Sequence, residues 1–416
     1  MLRTPNIKDG RVLTDDCKYV DAETFDKWTR RATVEIDDVL LTREAPLGQV
    51  GIVRSNEKLF LGQRIMQYRA DKARLNPHFL LYSFLSPDLQ HQFSMHEGSG
   101  SVVSHIRVGD CSKFQINLPP LDVQNKIADV LKNIDNKIEL NRQINKTLEQ
   151  MAQALFKAWF VDFDPVVDNA LDAGFFAQDL ELPDELLRRA EARQAVRKQS
   201  DFKPLPNATR QLFPAAFEAC AEPSLGLGGW IPKGWSVKRL DEILELVYGK
   251  ALKKTDRISG DYPVYGSGGV DGTHISSLVD GPGIIVGRKG TVGSIYWESN
   301  NFFPIDTVFY VKPKKSYSLE YCHELLKTLG LEKMNTDAAV PGLNRNNAYR
   351  LLCVTPCNII SDALSKVLSS YRHRIELCEK ESLALTKLRD TLLPKLISGE
   401  LRLDNIAAEL ATEQVN

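Results

Sequence analysis

"VLKNIDNKIEL", residues 130–140, returns at residues 367–377 as "VLSSYRHRIEL", with the hydrophobic skeleton kept and the polar residues changed. Around the first copy, apolar residues recur at heptad spacing, Ile127, Val130, Ile134, Ile144, Leu148, Met151 and Leu155, with Ile138 beside the polar seam position 137. That pattern predicts an amphipathic helix of roughly 30–35 residues, about 50 Å long. "LPPLD" (118–122) stands before it, where prolines suit only a helix start, and "FVDFDPV" ends it at Pro165. The second copy carries Ile360, Leu364, Val367, Tyr371, Ile375, Leu385, Leu388 and Leu392, with Gly399 beyond them.

The two helices share a constant shift of 237 residues, which sets Ile127 on Leu364, Ile134 on Tyr371, Leu148 on Leu385 and Leu155 on Leu392. The shift continues upstream, with Pro119 on Pro356 and Val103 on Val340. Earlier still, "LTREAPLGQVGI" (41–52) resembles "VGRKGTVGSIYW" (286–297) at a shift of 245, with Arg43 on Arg288 and Gly48 on Gly293. The chain is therefore an internal duplication, a mixed domain followed by a long helix, written twice.

The mixed domains read as strand-rich, because "GIIVGRKGTVGSIYW" (283–297) and "TVFYVKP" (307–313) are β-branched and aromatic runs punctuated by Gly and Pro. The expected fold is α+β: two tandem mixed, strand-rich domains with two long helices paired as an antiparallel coiled coil, related by a pseudo-twofold repeat. The expected boundaries are a first domain at 1–118, a first helix at 119–160 and a polar connector with little core at 161–228. A second domain follows at 229–357, then a second helix at 358–398 and a tail at 399–416. An isolated amphipathic helix of this length needs a partner for its stripe, and the other copy supplies one. Asn141, Lys137, Arg374, Cys378 and Glu381 interrupt the seam. Either neighbouring apolar residues take over there, or these polar residues set the register or face another protein.

Composition narrows the chemistry. The 416 residues carry a net charge of −1, which neither advertises nucleic-acid binding nor excludes a local basic face. No apolar run approaches a membrane span and the start lacks a signal-peptide pattern, so a cytoplasmic protein is expected. Seven cysteines show no Cys-x-x-Cys pair, and reduced thiols rather than a metal site are expected. A nucleotide-binding P-loop and the Glu-x-Lys of many nucleases are both absent. "NPHF" (76–79) is one residue from an amino-methyltransferase motif, but no Gly-x-Gly turn follows a strand to hold a methyl donor, and Asn76 capping a short helix with Pro77 at its first position is the favoured reading. Asp162 and Asp164 in "VDFDP" read as a turn, and "YGSGGVDG" (265–272) as a turn in a strand-rich domain or a weak phosphate cradle. What remains is polar and basic equipment in matching places: Arg43 with Arg288-Lys289, and "SHIRVGD" (104–110) with "PGLNRNN" (341–347). Such side chains read base edges and grip phosphates.

These residues are similar to a known family. "LPPLDVQNKIADVLKNIDNKIELNRQINKTLEQMAQALFKAWFVDFDPV", "IPKGWSVKRLDEI" (231–243), "YPVYGSGG", "GRKGTVG" with "PIDTVFYV", and "LRDTLLPKLISGEL" together resemble the DNA-specificity (S) subunit of type I restriction–modification systems. The resemblance implies two target-recognition domains, each reading half of a split site in double-stranded DNA. It implies helices that dock two modification (methyltransferase) subunits, with restriction subunits joining outside. It implies no catalytic residues and no cofactor in this chain, S-adenosylmethionine, ATP and Mg belonging to partner subunits. One departure is that the counterpart of "IPKGW" would fall before Met1, so the first domain is expected to lack its opening segment. The residues expected to contact DNA are Arg43, Arg64, His105 and Arg107 in the first domain. In the second they are Lys253, Lys254, Ser267, His274, Arg288, Lys289, Asn344 and Arg345, with Arg288 chosen for a base contact. A methyltransferase using "NPHF" and a scaffold that binds no DNA are the alternative readings.

Overall fold

The computed structural model describes residues 1–95, 105–334 and 342–403, in two compact units: residues 1–142 with 379–416, and residues 143–378. Val103 and Val340, Ser104 and Pro341, and most of the expected tail lie outside the described residues. The long helices run Leu121–Phe160 and Asn358–Ser398, 40 and 41 residues, so each contributes to both units. The first runs past the roughly 30–35 residues that the heptads alone predict because its apolar stripe does not stop at Leu155. Phe156, Trp159 and Phe160 continue it into a core, and burial of each such side chain stabilises by roughly 1.5–3 kcal/mol. Gly399, at φ +79°, ends the second helix in the left-handed conformation that glycine adopts without strain.

The first unit is built on a five-stranded sheet. Its strands are β1 (Ile7–Lys8), β2 (Gly10–Val12), β3 (Val39–Thr42), β4 (Val50–Ile52) and β5 (Ile65–Tyr68), in the order β1-β2-β4-β3-β5. All pairs are antiparallel except β2 with β4. β3 reads Val-Leu-Leu-Thr without polar alternation because both its faces are covered. Val39 and Leu41 join Phe79, Tyr82, Phe84 and Phe93, while Leu40 packs with Leu2, Ile7, Val53 and Leu59 on the other side. Ile127, Ala128 and Leu131 of the first long helix and Leu393, Leu396 and Ile397 of the second complete the core. Across the seam here, Arg389 binds Asp135 at 3.0 Å and Asn141 donates to Glu381 at 2.8 Å. Partner numbers fall as helix numbers rise, so the pairing is antiparallel.

The second unit holds β6 (Phe217–Ala219), β7 (Trp230–Pro232), β8 (Ser236–Arg239), β9 (Leu244–Tyr248), β10 (Tyr262–Gly266) and β11 (Gly269–His274). It continues with β12 (Gly283–Gly287), β13 (Ile295–Glu298), β14 (Phe303–Pro304), β15 (Val308–Pro313) and β16 (Leu352–Thr355). The main sheet has the order β13-β12-β15-β9, all antiparallel, and a second sheet runs β11-β10-β14. "YGSGGVDG" is the β10–β11 hairpin.

The expectation for 161–228 is corrected. This stretch is no bare connector: Phe163, Val166, Val167, Ala170, Phe175, Leu186, Phe213 and Phe217 are buried in the same core as Phe156 and Leu364. Helix Asp164–Asp172 presents Asp164, Asp168 and Asp172 to Arg189, Arg193 and Arg197 of helix Asp184–Arg197. Both triplets are spaced i, i+4, i+8, so each lies along one helix face. Charges that read as polar linker are thus consumed as pairs. Asp162 and Asp164 of "VDFDP" both meet Arg189, and burial pushes the Asp164 carboxyl above its ordinary range despite the adjacent arginines.

Of the residues expected to pair the helices, Ile127, Ile138, Leu364 and Ile375 are buried. Val130, Ile134, Leu148, Leu155, Val367, Tyr371, Leu385 and Leu392 are half-buried. Met151 and Leu388, read as seam positions, are exposed, while Leu131 and Leu368 are buried instead. Among the interrupting residues, Asn141 and Cys378 occupy equivalent positions and are both buried, whereas Arg374 and Glu381 are exposed.

Candidate nucleic-acid interface

The duplicated turn "TREAPLGQ" (42–49) and "GRKGTVGS" (287–294) is the same object in both units. In the first, the Thr42 N–H donates to the Gln49 carbonyl at 2.8 Å and Gly48 to Thr42 at 2.9 Å. In the second, Gly287 donates to Ser294 at 2.7 Å and Gly293 to Gly287 at 2.9 Å. Gly48 and Gly293 have φ of +83° and +72°, and the equivalent residues Ala45 and Gly290 are also left-handed at +49° and +85°.

The arginine that follows each strand is held in a matching way. The Arg43 N–H donates to the Arg64 carbonyl at 2.8 Å, and that of Arg288 to Thr307 at 2.9 Å. The Arg43 carbonyl accepts from Ile106 at 2.9 Å, and that of Arg288 from Leu343 at 2.8 Å. The side chains then brace the neighbouring loop: Arg43 Nη2 binds the Gln63 carbonyl at 2.7 Å and Arg288 Nη1 the Asp306 carbonyl at 2.9 Å. Arg43 spends a second nitrogen on the Ile106 carbonyl at 3.1 Å. Arg288 instead lies against Tyr248, its guanidinium carbon 4.9 Å from the ring centroid.

In the first unit, Arg64 is exposed and ion-paired with Glu44 at 3.0 Å. His105 and Arg107 flank Ile106, with Arg107 exposed. The hairpin arginine is thus brought to this segment, while Arg64 is partly neutralised.

The second unit gathers more of the expected residues. Lys289 is exposed beside Arg288 and bridges in β fashion to Gly342. Arg345 opens the short helix Arg345–Tyr349, and its guanidinium carbon lies 4.7 Å from the Tyr248 centroid. Asn344 is that helix's cap, its side-chain oxygen accepting from the N–H groups of Asn346 and Asn347. Ser267 adjoins the turn, its carbonyl accepting from Ser294 Oγ at 2.7 Å and Tyr296 Oη at 3.2 Å. Lys253, Lys254 and His274 lie instead with the β10–β11 hairpin. Lys254 pairs with Asp271 at 3.0 Å and, with Arg257, holds that carboxyl below its usual range. His274 Nδ1 accepts from the Ile258 N–H at 3.2 Å. Tyr248 is the residue that reading the sequence missed; its signal is an aromatic at a strand end followed by Gly-Lys.

"NPHF" is a helix start: Asn76 Oδ1 accepts from His78 at 2.8 Å and Phe79 at 3.2 Å, with Pro77 in the first turn. That leaves the Asn76 acceptor occupied by the main chain. Among the described residues no disulfide forms, no three His, Cys, Asp or Glu residues are grouped to hold a metal ion, and no helix is long and apolar enough to cross a membrane.

The family described as "Type I restriction modification DNA specificity domain" matches residues 23–150 and 232–344, more than half of the chain and one match per half. The chain belongs to this family. Among curated relatives, the type I restriction enzyme HindI specificity subunit of Haemophilus influenzae is 28% identical over 356 residues, covering 78% of this chain and 77% of that one. The MjaIX specificity subunit of Methanocaldococcus jannaschii is 26% identical over 376 residues, covering 88% and 78%. Among solved structures, the S subunit from M. genitalium is 17% identical and covers 95% of this chain and 91% of that chain, at a TM-score of 0.47. Each half of the family match contains one of the two braced arginines, Arg43 or Arg288.

Proposed function

We propose that this chain is the non-catalytic DNA-reading subunit of a type I restriction–modification complex, and that each unit reads one half of a bipartite site. The observation that carries this is the duplicated turn, which sets an arginine at the same place in each unit with its side chain braced by main-chain carbonyls. Positioned guanidinium groups discriminate bases because their fork matches paired acceptors on a base edge. The long helices belong, in this reading, to the docking of two methyltransferase subunits, with restriction subunits added outside. S-adenosylmethionine, ATP and Mg are then bound by those partners.

Footprinting of the chain assembled with its methyltransferase subunits tests this. Protection of two short tracts separated by an unprotected gap is expected. An assembly that forms but protects no DNA would replace the reading with that of a helical scaffold. Methyl-donor binding by the chain alone would replace it with that of an enzyme.

A further inference from the structure

We propose that Tyr248 is a positioning residue for base discrimination by the second unit, holding Arg288 and Arg345 as one prearranged pair. This rests on the DNA-reading function proposed above. Both guanidinium carbons lie under 5 Å from the one ring centroid, at 4.9 and 4.7 Å, although the arginines come from different segments. Two hydrogen bonds fix that meeting: the Leu343 N–H donates to the Arg288 carbonyl at 2.8 Å, and the Leu246 N–H donates to the Tyr349 side-chain Oη at 2.9 Å, tying helix Arg345–Tyr349 to β9. Tyr248 itself ends β9, opposite Phe309, and the residue remains 44% exposed.

The way these charges are held decides what they can do. Elsewhere in this unit arginines are neutralised, as Arg193 is by Asp168 and Arg197 by Asp172. Among the described residues no carboxylate forms an ion pair with Arg288 or Arg345. A ring face attracts a guanidinium through its quadrupole without cancelling the charge, and it leaves the in-plane N–H groups able to donate. Two like charges that would otherwise repel are thereby kept together with limited rotamer freedom. That is the arrangement an acceptor-rich base edge requires. Among the described residues no ring stacks on Arg43, whose guanidinium instead donates to two carbonyls.

The experiment compares wild type, Tyr248→Leu and Tyr248→Phe, each assembled with the methyltransferase subunits, in competition binding against duplexes substituted singly through both half-sites. Tyr248→Leu is expected to lose about tenfold discrimination or more at positions confined to one half-site, leaving the other unchanged. Tyr248→Phe, which keeps the ring, is expected to retain discrimination. Unaltered discrimination in Tyr248→Leu, an equal loss on every duplex, or the same loss in Tyr248→Phe would overturn the proposal while leaving DNA reading intact. Absence of any sequence preference in the wild-type assembly would overturn the DNA reading itself, and this proposal with it. Thermal melts establish that all three assemblies are folded at the temperature of the binding assay, so the losses compared are those of folded protein.

Discussion

Arg288 donates through Nη1 to the main-chain carbonyl of Asp306 at 2.9 Å, so one edge of its guanidinium is committed to the protein and its direction is set. Arg288→Ala is therefore expected to act on discrimination more than on overall binding. The expected loss is about 1–3 kcal/mol at one base pair, with preference relaxed there. Arg288→Lys should not rescue it, because an ammonium cannot brace the loop and present a fork together. Binding to a panel of single-base variants decides: uniform weakening on all sequences would make Arg288 a phosphate contact.

Gly48 and Gly293 are equivalent in the repeat and share positive φ, yet they should respond differently to substitution. A Cβ on Gly48 meets side chains alone, the Gln90 oxygen at 3.2 Å and Phe93 Cδ2 at 3.9 Å, so only the Gln90 amide need give by a few tenths of an ångström. A Cβ on Gly293 would sit 2.3 Å from the Glu332 main-chain nitrogen. Gly48→Ala should cost about 1–2 kcal/mol, mainly from its left-handed backbone. Gly293→Ala should cost about 3 kcal/mol or more, since the main chain must shift as well. Urea unfolding of the two variants measures the gap, and equal losses would show that the turn relaxes as freely in both units.

The duplication could be read along the chain because its signal is local: a strand end, an Arg, a glycine five residues on, then an amphipathic helix. Tyr248 could not be read that way. It lies 40 residues before Arg288 in sequence and reaches it only through the pairing of β9 with β15 and of β15 with β12. Sheet register of that kind is set by packing rather than by local pattern. The core within 161–228 is hidden in the sequence for a related reason. Its acids and arginines count as polar until they are paired, and then Val166, Val167, Ala170 and Leu186 between them become core. Asn344 shows the limit of choosing residues by type, since its oxygen is used by its own helix.

His323 and its neighbours give a pH dependence. Burial first, and then nearby Lys327 and Arg372, push its imidazole down to about 4. Its Nδ1 lies 2.7 Å from Arg372 Nη2 and 2.8 Å from Glu324 Oε1, and burial with the two cations outweighs the carboxylate, which favours the proton. The unfolded chain binds its proton near pH 6.5, so the folded state is favoured above that value and loses this contribution as pH falls from about 6.5 towards 4. The loss should reach up to about 3 kcal/mol, and His78, also held down to about 4 mainly by burial, adds in the same direction. Urea melts between pH 7 and 4.5 should show the decline, and His323→Gln should flatten it. An unchanged slope in that variant would assign the decline to other groups.

Asp168 and Asp172 stand one turn apart on the same helix, face equivalent arginines, and should differ severalfold in what their loss costs. Asp168 is 7% exposed and takes two bonds from Arg193, at 2.9 and 2.8 Å, while Arg193 also lies over the Phe202 ring. Asp172 is about half exposed although it meets both Arg197 and Arg210. Removing a partner from a buried pair leaves a desolvated charge behind, so Asp168→Ala should cost about 3–5 kcal/mol. Water replaces the lost partner at the surface, so Asp172→Ala should cost about 1 kcal/mol or less and fade further with salt. The double variant Asp168→Leu, Arg193→Met removes both charges and keeps apolar volume beside Phe202. It should recover most of the loss, because the pair's attraction is offset by the cost of taking it out of water. If the double variant is as unstable as Asp168→Ala alone, the ladder contributes stability of its own rather than merely avoiding a buried charge.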